Sequence, residues 1–184
     1  MEAGRKQLKR LSDLIGDLLD VSRISSGQMR LQWEPVDIAA VVREVSTRLE
    51  PEATRAESSV TLEIPEGLNI HSDRMRLEQV TENLLTNAIK YGAGKPIHVR
   101  LEASPERVTL SMKDQGIGIA PEHQARIFER FERAVSERNY GGLGLGLYIT
   151  RTIVEALGGT IRVDSQPGQG ACFTVELPRE PPAP

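Results

Sequence analysis

Cysteine is almost absent from this sequence, because Cys172 is the only one among 184 residues. A single thiol excludes an intrachain disulfide and a metal site built from several cysteines of one chain. Cys172 lies in the strand-like run 171–175 and is interpreted as a small buried thiol. The sequence therefore gives no indication of a disulfide-stabilised fold.

An excess of positive charge is also lacking. The sequence has 23 Lys and Arg against 26 Asp and Glu, which gives a net charge of -3. Such a balance gives no net positive charge that would favour binding to nucleic acid or to an anionic membrane surface. We therefore expect no nucleic-acid partner and no membrane contact from this chain.

Long apolar runs are missing as well. No stretch approaches the roughly 18 apolar residues that span a bilayer, and residues 1–5 do not open a signal peptide. The chain as given is expected to be cytoplasmic, although a longer parent protein could be membrane-anchored. With 39% hydrophobic and 27% charged residues, the composition is that of a folded globular protein.

Two common nucleotide-binding motifs are absent. A P-loop would need glycine where Ile89 stands and a hydroxyl residue where Pro96 follows Lys95. The glycine-rich run 141–147 lacks the third glycine of the dinucleotide fingerprint, and no strand precedes it. Both of the familiar nucleotide folds are therefore disfavoured.

An amphipathic helix is predicted at the beginning of the chain. Leu8, Leu11, Ile15 and Leu18 recur at alternating spacings of three and four, which forms one apolar stripe. Half of a helical hairpin that pairs with another chain is favoured over a helix packed on its own domain. We place a partial dimerisation helix at 1–30, the main domain at 31–178 and a disordered tail at 179–184.

The remaining pattern predicts an α+β fold, a two-layer α/β sandwich with a mixed sheet. Predicted strands cover 60–64, 97–101, 108–112, 160–164 and 172–177. Predicted helices cover 37–55, 73–91 with Asp73 as cap, 121 to about 131, and 147–157.

Three groups of residues could carry chemistry. Asn83, Asn87 and Lys90 fall within about 60° of one another beside the apolar face of the 73–91 helix, where amide oxygens and an ammonium would suit a metal nucleotide. Asp114 ends a strand before Gly116 and Gly118, where its carboxylate could accept a hydrogen bond from an adenine amino group. The glycine-rich run 141–147 leads into a helix and could close over phosphate as a lid.

The first two groups each have an ordinary alternative. The amides could be the polar flank of an amphipathic helix, which is the better interpretation when that motif is taken alone. Asp114 and its glycines could form a simple turn, and the two interpretations are evenly matched. Only the order of all three groups along the chain favours a nucleotide site.

In that order, the runs 83–91, 114–119, 127–131 and 142–147 resemble the N, G1, F and G2 boxes of histidine kinases, which belong to the GHKL ATP-binding superfamily. The run 14–24 resembles the second helix of the family's dimerisation domain. The resemblance implies a kinase that binds ATP and Mg²⁺, with a response regulator receiver domain as partner. It also implies that the full-length protein is a homodimer through its N-terminal helix.

The resemblance implies the following site residues. Asn87 and Asn83 would bind Mg²⁺ and phosphate, whereas Lys90 and Arg133 would act on the transferring phosphoryl group. The remaining nucleotide contacts would come from Tyr91, Asp114, Gly116, Gly118, Ile119, Gly142, Leu143, Gly144, Leu145 and Gly146.

One departure from the family concerns the phosphate acceptor. The family phosphorylates a histidine in a His-Glu-or-Asp-x-Arg-x-Pro context, and none of His71, His98 and His123 has that context. The favoured hypothesis is a sensor histidine kinase catalytic domain whose acceptor lies on a helix not present here. The alternatives are a nucleotide-binding module without kinase activity and, ranked last, an anti-sigma type serine kinase.

Overall fold

A computed structural model of the protein describes residues 8, 11–12, 14–16, 18–22, 29–92, 94–132 and 143–181. The strands in this part of the chain are β1 (Glu34–Asp37), β2 (Val60–Glu63), β3 (Asn69–Ser72), β4 (Ile97–Ala103), β5 (Arg107–Lys113), β6 (Thr160–Ser165) and β7 (Ala171–Pro178). The main sheet has the strand order β2-β4-β5-β7-β6, in which β2 pairs with β4 in parallel and the other pairs are antiparallel. The mixed sheet and the α+β class are therefore confirmed.

The described residues contain five α-helices. They are α1 (helical residues 8, 11, 12, 14–16 and 18–22), α2 (Ile38–Arg55), α3 (Arg74–Tyr91), α4 (Pro121–Gln124) and α5 (Gly146–Ala156). Asp37 caps α2 by accepting from the amides of Ala39 and Ala40, and Asp73 caps α3 by accepting from the amide of Arg76. The predicted cap of α3 is thus confirmed, and it fixes where the helix begins.

The core lies between the sheet and the helices. Alternate residues of β4 and β5 are buried, as the hairpin pattern predicts, because successive side chains of a strand point to opposite faces. They meet the apolar face of α3 and the fully buried side chains of α5. The largest of the fully buried side chains are Ile38, Leu77, Leu84, Leu85, Ile97, Met112, Leu145, Ile149, Ile153 and Leu157.

The helix predicted from Pro121 to about Phe131 is shorter than expected. It ends at Gln124 and is followed by a 3-10 turn, Arg126–Phe128. Ile127 and Phe128 are buried, and the Phe128 ring packs edge-on against Phe173 with centroids 6.3 Å apart. The chain after Gln124 is thus held to the core by Ile127 and Phe128 within the 3-10 turn, not by a continuous helix.

Two further features differ from the sequence expectations. β1 and β3 form a separate antiparallel two-stranded sheet that was not predicted. The tail predicted from 179 begins too early, because the Arg179 amide donates to the Glu106 carbonyl and the Arg179 carbonyl accepts from the His71 amide. These backbone hydrogen bonds keep Arg179 on the domain.

Helix α1 directs its apolar stripe to solvent. Leu8, Leu11, Ile15 and Leu18 are each at least half exposed. Pairing of this stripe with another helix stays a prediction, as do the domain boundary near residue 30 and a disordered tail, of which 182–184 lie outside the described residues. None of the described helices is long and apolar enough to cross a membrane.

Candidate nucleotide site

The polar flank of α3 forms one wall of the candidate site. Asn83, Asn87, Lys90 and Tyr91 are all half-buried at the edge of the core, as the helical periodicity predicts for the first three. Tyr91 was expected on the apolar face and is only partly covered. The helix thus presents two amides, one ammonium and one phenol along its last three turns.

Asn83 connects α3 to the start of α5. Its Nδ2 donates to the Gly146 carbonyl at 3.3 Å and to the Thr150 hydroxyl at 3.2 Å. Thr150 is fully buried and donates in turn to the same carbonyl at 2.8 Å. Because the amide nitrogen is occupied in this way, the Asn83 oxygen is the atom that remains for a cation.

Asn87 and Lys90 follow on the same flank. The Asn87 carboxamide has no hydrogen bond to any of the described residues, although the residue is partly buried. The Lys90 ammonium lies 4.7 Å from the centre of the Tyr91 ring, a distance typical of a cation-π contact. Lys90 lies in the last turn of α3, where the helix dipole also favours a positive charge.

Asp114 forms the second wall, at the end of β5. It is buried, and its Oδ1 accepts from the Gly116 amide at 2.8 Å and from the Ala171 amide at 3.3 Å. Its Oδ2 accepts no hydrogen bond from the described residues. Desolvation by burial raises the pKa of the Asp114 carboxyl above its ordinary value, against the opposing effect of the backbone amides of Gly116, Ala171 and Asp114 itself.

Asp114 lies beside the C-terminal end of α3. A Cβ placed on Gly92 would come within 3.7 Å of the Asp114 Cβ, so Asp114 lies against the end of the helix that carries Lys90 and Tyr91. The structure therefore brings together two of the three groups that the sequence singles out.

Two glycines hold the Asp114 loop in place. A Cβ on Gly116 would lie 1.8 Å from the Tyr91 carbonyl oxygen, so only glycine allows this loop to pack on the end of α3. Gly118 has a φ of 69°, and a Cβ there would lie 2.0 Å from the Gln166 carbonyl oxygen. Packing of the loop thus requires glycine at both positions. This requirement is additional to the role near a base that the resemblance implies.

The β6–β7 connection supports the same loop from the other side. The Ile119 amide donates to the Ser165 hydroxyl at 2.8 Å, and Gln124 donates to the carbonyls of both residues. The Gly168 amide donates to the Ile117 carbonyl at 2.7 Å. Ile119 is therefore held by Ser165 and Gln124, neither of which the sequence singles out.

The predicted lid is described only in part. Arg133 and Gly142 lie outside the described residues. Leu143 and Gly144 precede α5, Leu145 is fully buried, and Gly146 begins α5 with its Cβ position 3.9 Å from Asn83 Cγ. The end of the glycine-rich run is thus anchored in the core, with Gly146 against the Asn83 amide.

Thr150 is a further residue of the site, and the sequence does not single it out. Its hydroxyl follows Gly146 by one helical turn, and a buried Thr in that position can bond the carbonyl four residues earlier. The link to Asn83 joins residues 67 positions apart and has no local sequence signal.

The side chains present fit a metal nucleotide. Mg²⁺ prefers oxygen ligands and takes few of them from protein, which matches two amide oxygens left open on one helix flank. An adenine amino group needs an acceptor, which matches the open Oδ2 of Asp114.

Comparison with known proteins agrees with this geometry. The profile of the family described as histidine kinase-, DNA gyrase B- and HSP90-like ATPase matches residues 72–181. The chain belongs to this family. It corresponds to the ATP-binding catalytic domain of two-component sensor histidine kinases, so the resemblance drawn from the four boxes is confirmed.

Individual relatives give the extent of the match. The sensor-like histidine kinase SenX3 of Mycolicibacterium smegmatis is 34% identical over 175 residues, which cover 94% of this chain and 46% of that protein. The chain therefore spans less than half of that relative.

Solved structures match over almost the whole chain. The histidine kinase AdeS of Acinetobacter baumannii is 30% identical with a TM-score of 0.81, covering 97% of this chain and 83% of that one. Full-length ShkA in complex with AMPPNP is 31% identical with a TM-score of 0.84, covering 100% of this chain and 39% of that one.

Proposed function

We propose that this domain binds Mg-ATP between the polar flank of α3, the loop after β5 and the segment before α5. It then transfers the γ-phosphoryl group to a histidine on a dimerisation helix supplied from outside this chain. A response regulator receiver domain would take the phosphoryl group from that histidine. The protein containing this domain would therefore act in signal relay.

The observation that carries the proposal is the Asp114 carboxylate. It is buried, one of its oxygens accepts from two backbone amides, and the other accepts no hydrogen bond from the described residues. A fixed acceptor at this position would select adenine, which offers an amino group where guanine offers a carbonyl. Asp114 would thus choose the base, and Gly116 and Gly118 would keep the loop close to it.

The α3 flank would hold the metal and the phosphates. The Asn87 and Asn83 oxygens would ligate Mg²⁺, which would supply charge neutralisation to the phosphate oxygens. Lys90 would contact phosphate, and Arg133, by resemblance alone, would approach the γ-phosphoryl group. Tyr91, Ile119 and the 142–146 segment would enclose the nucleotide.

Transfer to histidine is favoured over hydrolysis by the chemistry of Asn83. A carboxamide cannot act as a general base toward water, so bound ATP should hydrolyse slowly. A correctly placed imidazole can react instead, because phosphoryl transfer depends mainly on positioning and on charge stabilisation.

The three histidines present are poor candidates for the acceptor. His71 is in β3, His98 is in β4 on the face turned away from the core, and His123 is in α4. None of these positions is on the flank of α3 that presents the amides. The exposed apolar stripe of α1 offers a surface on which a separate helix could bring the histidine.

The experiment is phosphoryl transfer from γ-labelled ATP, with and without a dimeric fragment carrying the histidine-box helix. We expect acid-labile label on the added fragment and none on this chain alone. The matched controls are Asn87→Ala in this chain and a fragment with glutamine in place of the acceptor histidine, and both should remain unlabelled.

Two outcomes would contradict the proposal. Acid-labile label on this chain alone would place the acceptor within it. Absence of label on a folded, dimeric fragment, together with normal ATP binding, would favour the alternative of a nucleotide-binding module without kinase activity.

A further inference from the structure

A polar contact joins α1 to the nucleotide-binding helix. Asp20 on α1 accepts from Arg76 Nη1 at 3.2 Å through Oδ1 and from Gln79 Nε2 at 2.6 Å through Oδ2. Arg76 Nη1 also donates to Gln79 Oε1 at 2.7 Å, which closes a ring of three hydrogen bonds. Because each oxygen of the carboxylate has its own donor, the contact fixes the orientation of α1 as well as its distance.

This contact is shielded from water. The side chain of Arg76 is 7% exposed and that of Asp20 is 18% exposed, whereas the other ion pairs on α3 involve side chains that are 31% exposed or more. Charge-assisted hydrogen bonds are stronger where water is largely excluded. Within the described residues, the Asp20–Arg76 pair is therefore the ion pair best placed to hold two elements together.

A second attachment lies one turn away. Asp73, the cap of α3, accepts from the Gln32 amide at 2.8 Å through the oxygen that does not cap the helix. The chain after α1 is thus tied to the first turn of α3, while α1 itself is tied to Arg76 and Gln79. Asp20 and Gln32 thus both contact the first two turns of α3.

The attachment lies on the flank of α3 that carries the candidate nucleotide residues. At 100° per residue, Arg76, Gln79, Asn83, Asn87 and Lys90 fall within about 80° of one another. Gln79 precedes Asn83 by four residues, which is about 6 Å along the helix axis. The residues that contact α1, Arg76 and Gln79, and the proposed metal ligands are therefore consecutive segments of one polar stripe on α3.

The opposite face of α1 is free for another helix. Asp20 follows Leu11 by nine residues, so the two project about 180° apart on the helix. Leu11 and the rest of the apolar stripe are exposed, while Asp20 faces α3. Helix α1 thus lies between the catalytic domain on one side and whatever covers its apolar stripe on the other.

We propose that Asp20, Arg76 and Gln79 are positioning residues for phosphoryl transfer. They seat α1 on α3 so that a helix bound to the apolar stripe is presented to the phosphate end of the nucleotide site. This inference rests on the proposed function. It adds that the geometry of transfer is set by a polar contact that touches neither the nucleotide nor the acceptor.

The test separates positioning from nucleotide binding. With the histidine-bearing fragment added, Asp20→Asn should lower the single-turnover transfer rate about tenfold, because a charge-assisted contact is weakened. The dissociation constant for Mg-ATP should stay within about twofold, because no nucleotide ligand changes. Arg74→Ala is the matched control, since Arg74 pairs with Glu44 and Glu78 on the exposed side of α3 and should alter neither quantity.

Charge exchange provides a rescue. Asp20→Arg and Arg76→Glu should each reduce transfer at least as much as Asp20→Asn, and the double variant should recover most of the rate. If Asp20 and Arg76 acted independently of each other, the double variant would be worse than either single one. Unchanged or faster transfer by Asp20→Asn, or failure of the double variant to recover transfer while it still binds Mg-ATP, would overturn the inference.

A measurement that does not depend on kinase activity distinguishes failure of this inference from failure of the proposed function. Amide exchange of residues 11–22 should be faster in Asp20→Asn than in the wild type and unchanged in Arg74→Ala. If the wild type labels no added fragment, the proposed function fails whatever the exchange shows. If amide exchange of residues 11–22 is the same in wild type and Asp20→Asn, the Asp20 contact does not hold α1 on α3, whatever the labelling shows.

Discussion

The Asn83 amide donates a hydrogen bond to the Thr150 hydroxyl at 3.2 Å, which ties the nucleotide-binding helix to the helix that follows the glycine-rich segment. The contact holds the amide nitrogen toward α5 and leaves the amide oxygen for a metal ion. The proposed Mg²⁺ site therefore depends on a residue that is not a ligand.

Thr150→Val should weaken Mg-ATP binding while leaving metal-free ATP binding unchanged. Valine keeps the shape of threonine but removes the hydroxyl, so Asn83 loses one of its two acceptors and its oxygen is less well oriented. The loss of stability should be about 0.5–1.5 kcal/mol, the usual net value of a hydrogen bond. Calorimetric titration with ATP in Mg²⁺ and in EDTA measures the first effect, and urea unfolding measures the second.

Thr152→Val is the control for that variant. Thr152 is on the same helix and donates to the Tyr148 carbonyl, so it loses a similar hydrogen bond remote from Asn83. Its Mg²⁺ dependence should match the wild type. Equal Mg²⁺ dependence in all three proteins would remove the Asn83 oxygen from the metal site.

How far the sequence predicts this molecule depends on whether the signal is local. The length of α3, its Asp73 cap and the flank carrying Asn83 and Asn87 follow from helical periodicity and capping within about twenty residues. The mixed sheet follows from alternating runs and short turns. These features are the ones that the structure confirms.

Features that arise from contacts distant in the sequence were missed. The early end of α4 depends on packing of Phe128 against Phe173, and the Thr150 link to Asn83 spans two helices. The β1–β3 pairing joins strands of only four residues each, too short for a clear alternation. Each of these is decided by tertiary packing, which local propensity does not encode.

Asp114→Asn should weaken ATP binding about ten- to a hundredfold. The substitution removes the charge from an acceptor that faces the adenine amino group, and a hydrogen bond to a charged group contributes about 1.5–3 kcal/mol. Isothermal titration with ATP measures the change. Asp164→Asn, at an exposed position on β6, is the matched control and should bind as the wild type does. Unchanged affinity in a folded Asp114→Asn variant would exclude Asp114 from the site.

Acidification should also weaken ATP binding. The loss should occur at a higher pH than it would if Asp114 had the ordinary pKa of an aspartate. Burial raises the pKa of Asp114, so the carboxylate becomes protonated, and ceases to be a charged acceptor, above the usual carboxyl range. The difference in affinity between wild type and Asp114→Asn isolates this titration from that of the nucleotide. That difference should shrink as the pH falls through the raised pKa, and a constant difference would contradict the assignment.

The same titration should affect stability in the opposite direction. A carboxyl whose folded pKa is raised favours the folded state below its unfolded pKa, and this contribution is lost as the pH rises through the folded pKa. Urea unfolding at a series of pH values should therefore show Asp114→Asn gaining stability relative to the wild type as the pH rises through that window. No relative gain would show that ionised Asp114 carries no burial penalty.

Gly116→Ala should destabilise the domain and abolish tight ATP binding together. The added Cβ would lie 1.8 Å from the Tyr91 carbonyl oxygen, and backbone on both sides would have to separate. Overpacking of this kind costs roughly 1–3 kcal/mol. Because Gly116 also donates its amide to Asp114, displacement of the loop should turn the carboxylate away from the base.

Gly67→Ala is the matched control, since its Cβ would meet only Asp37 Oδ2 at 3.8 Å, and both its stability and its ATP affinity should remain close to those of the wild type. Urea unfolding and calorimetry on the two variants measure both effects, and normal ATP affinity in Gly116→Ala would show that the packing of this loop on α3 does not position Asp114.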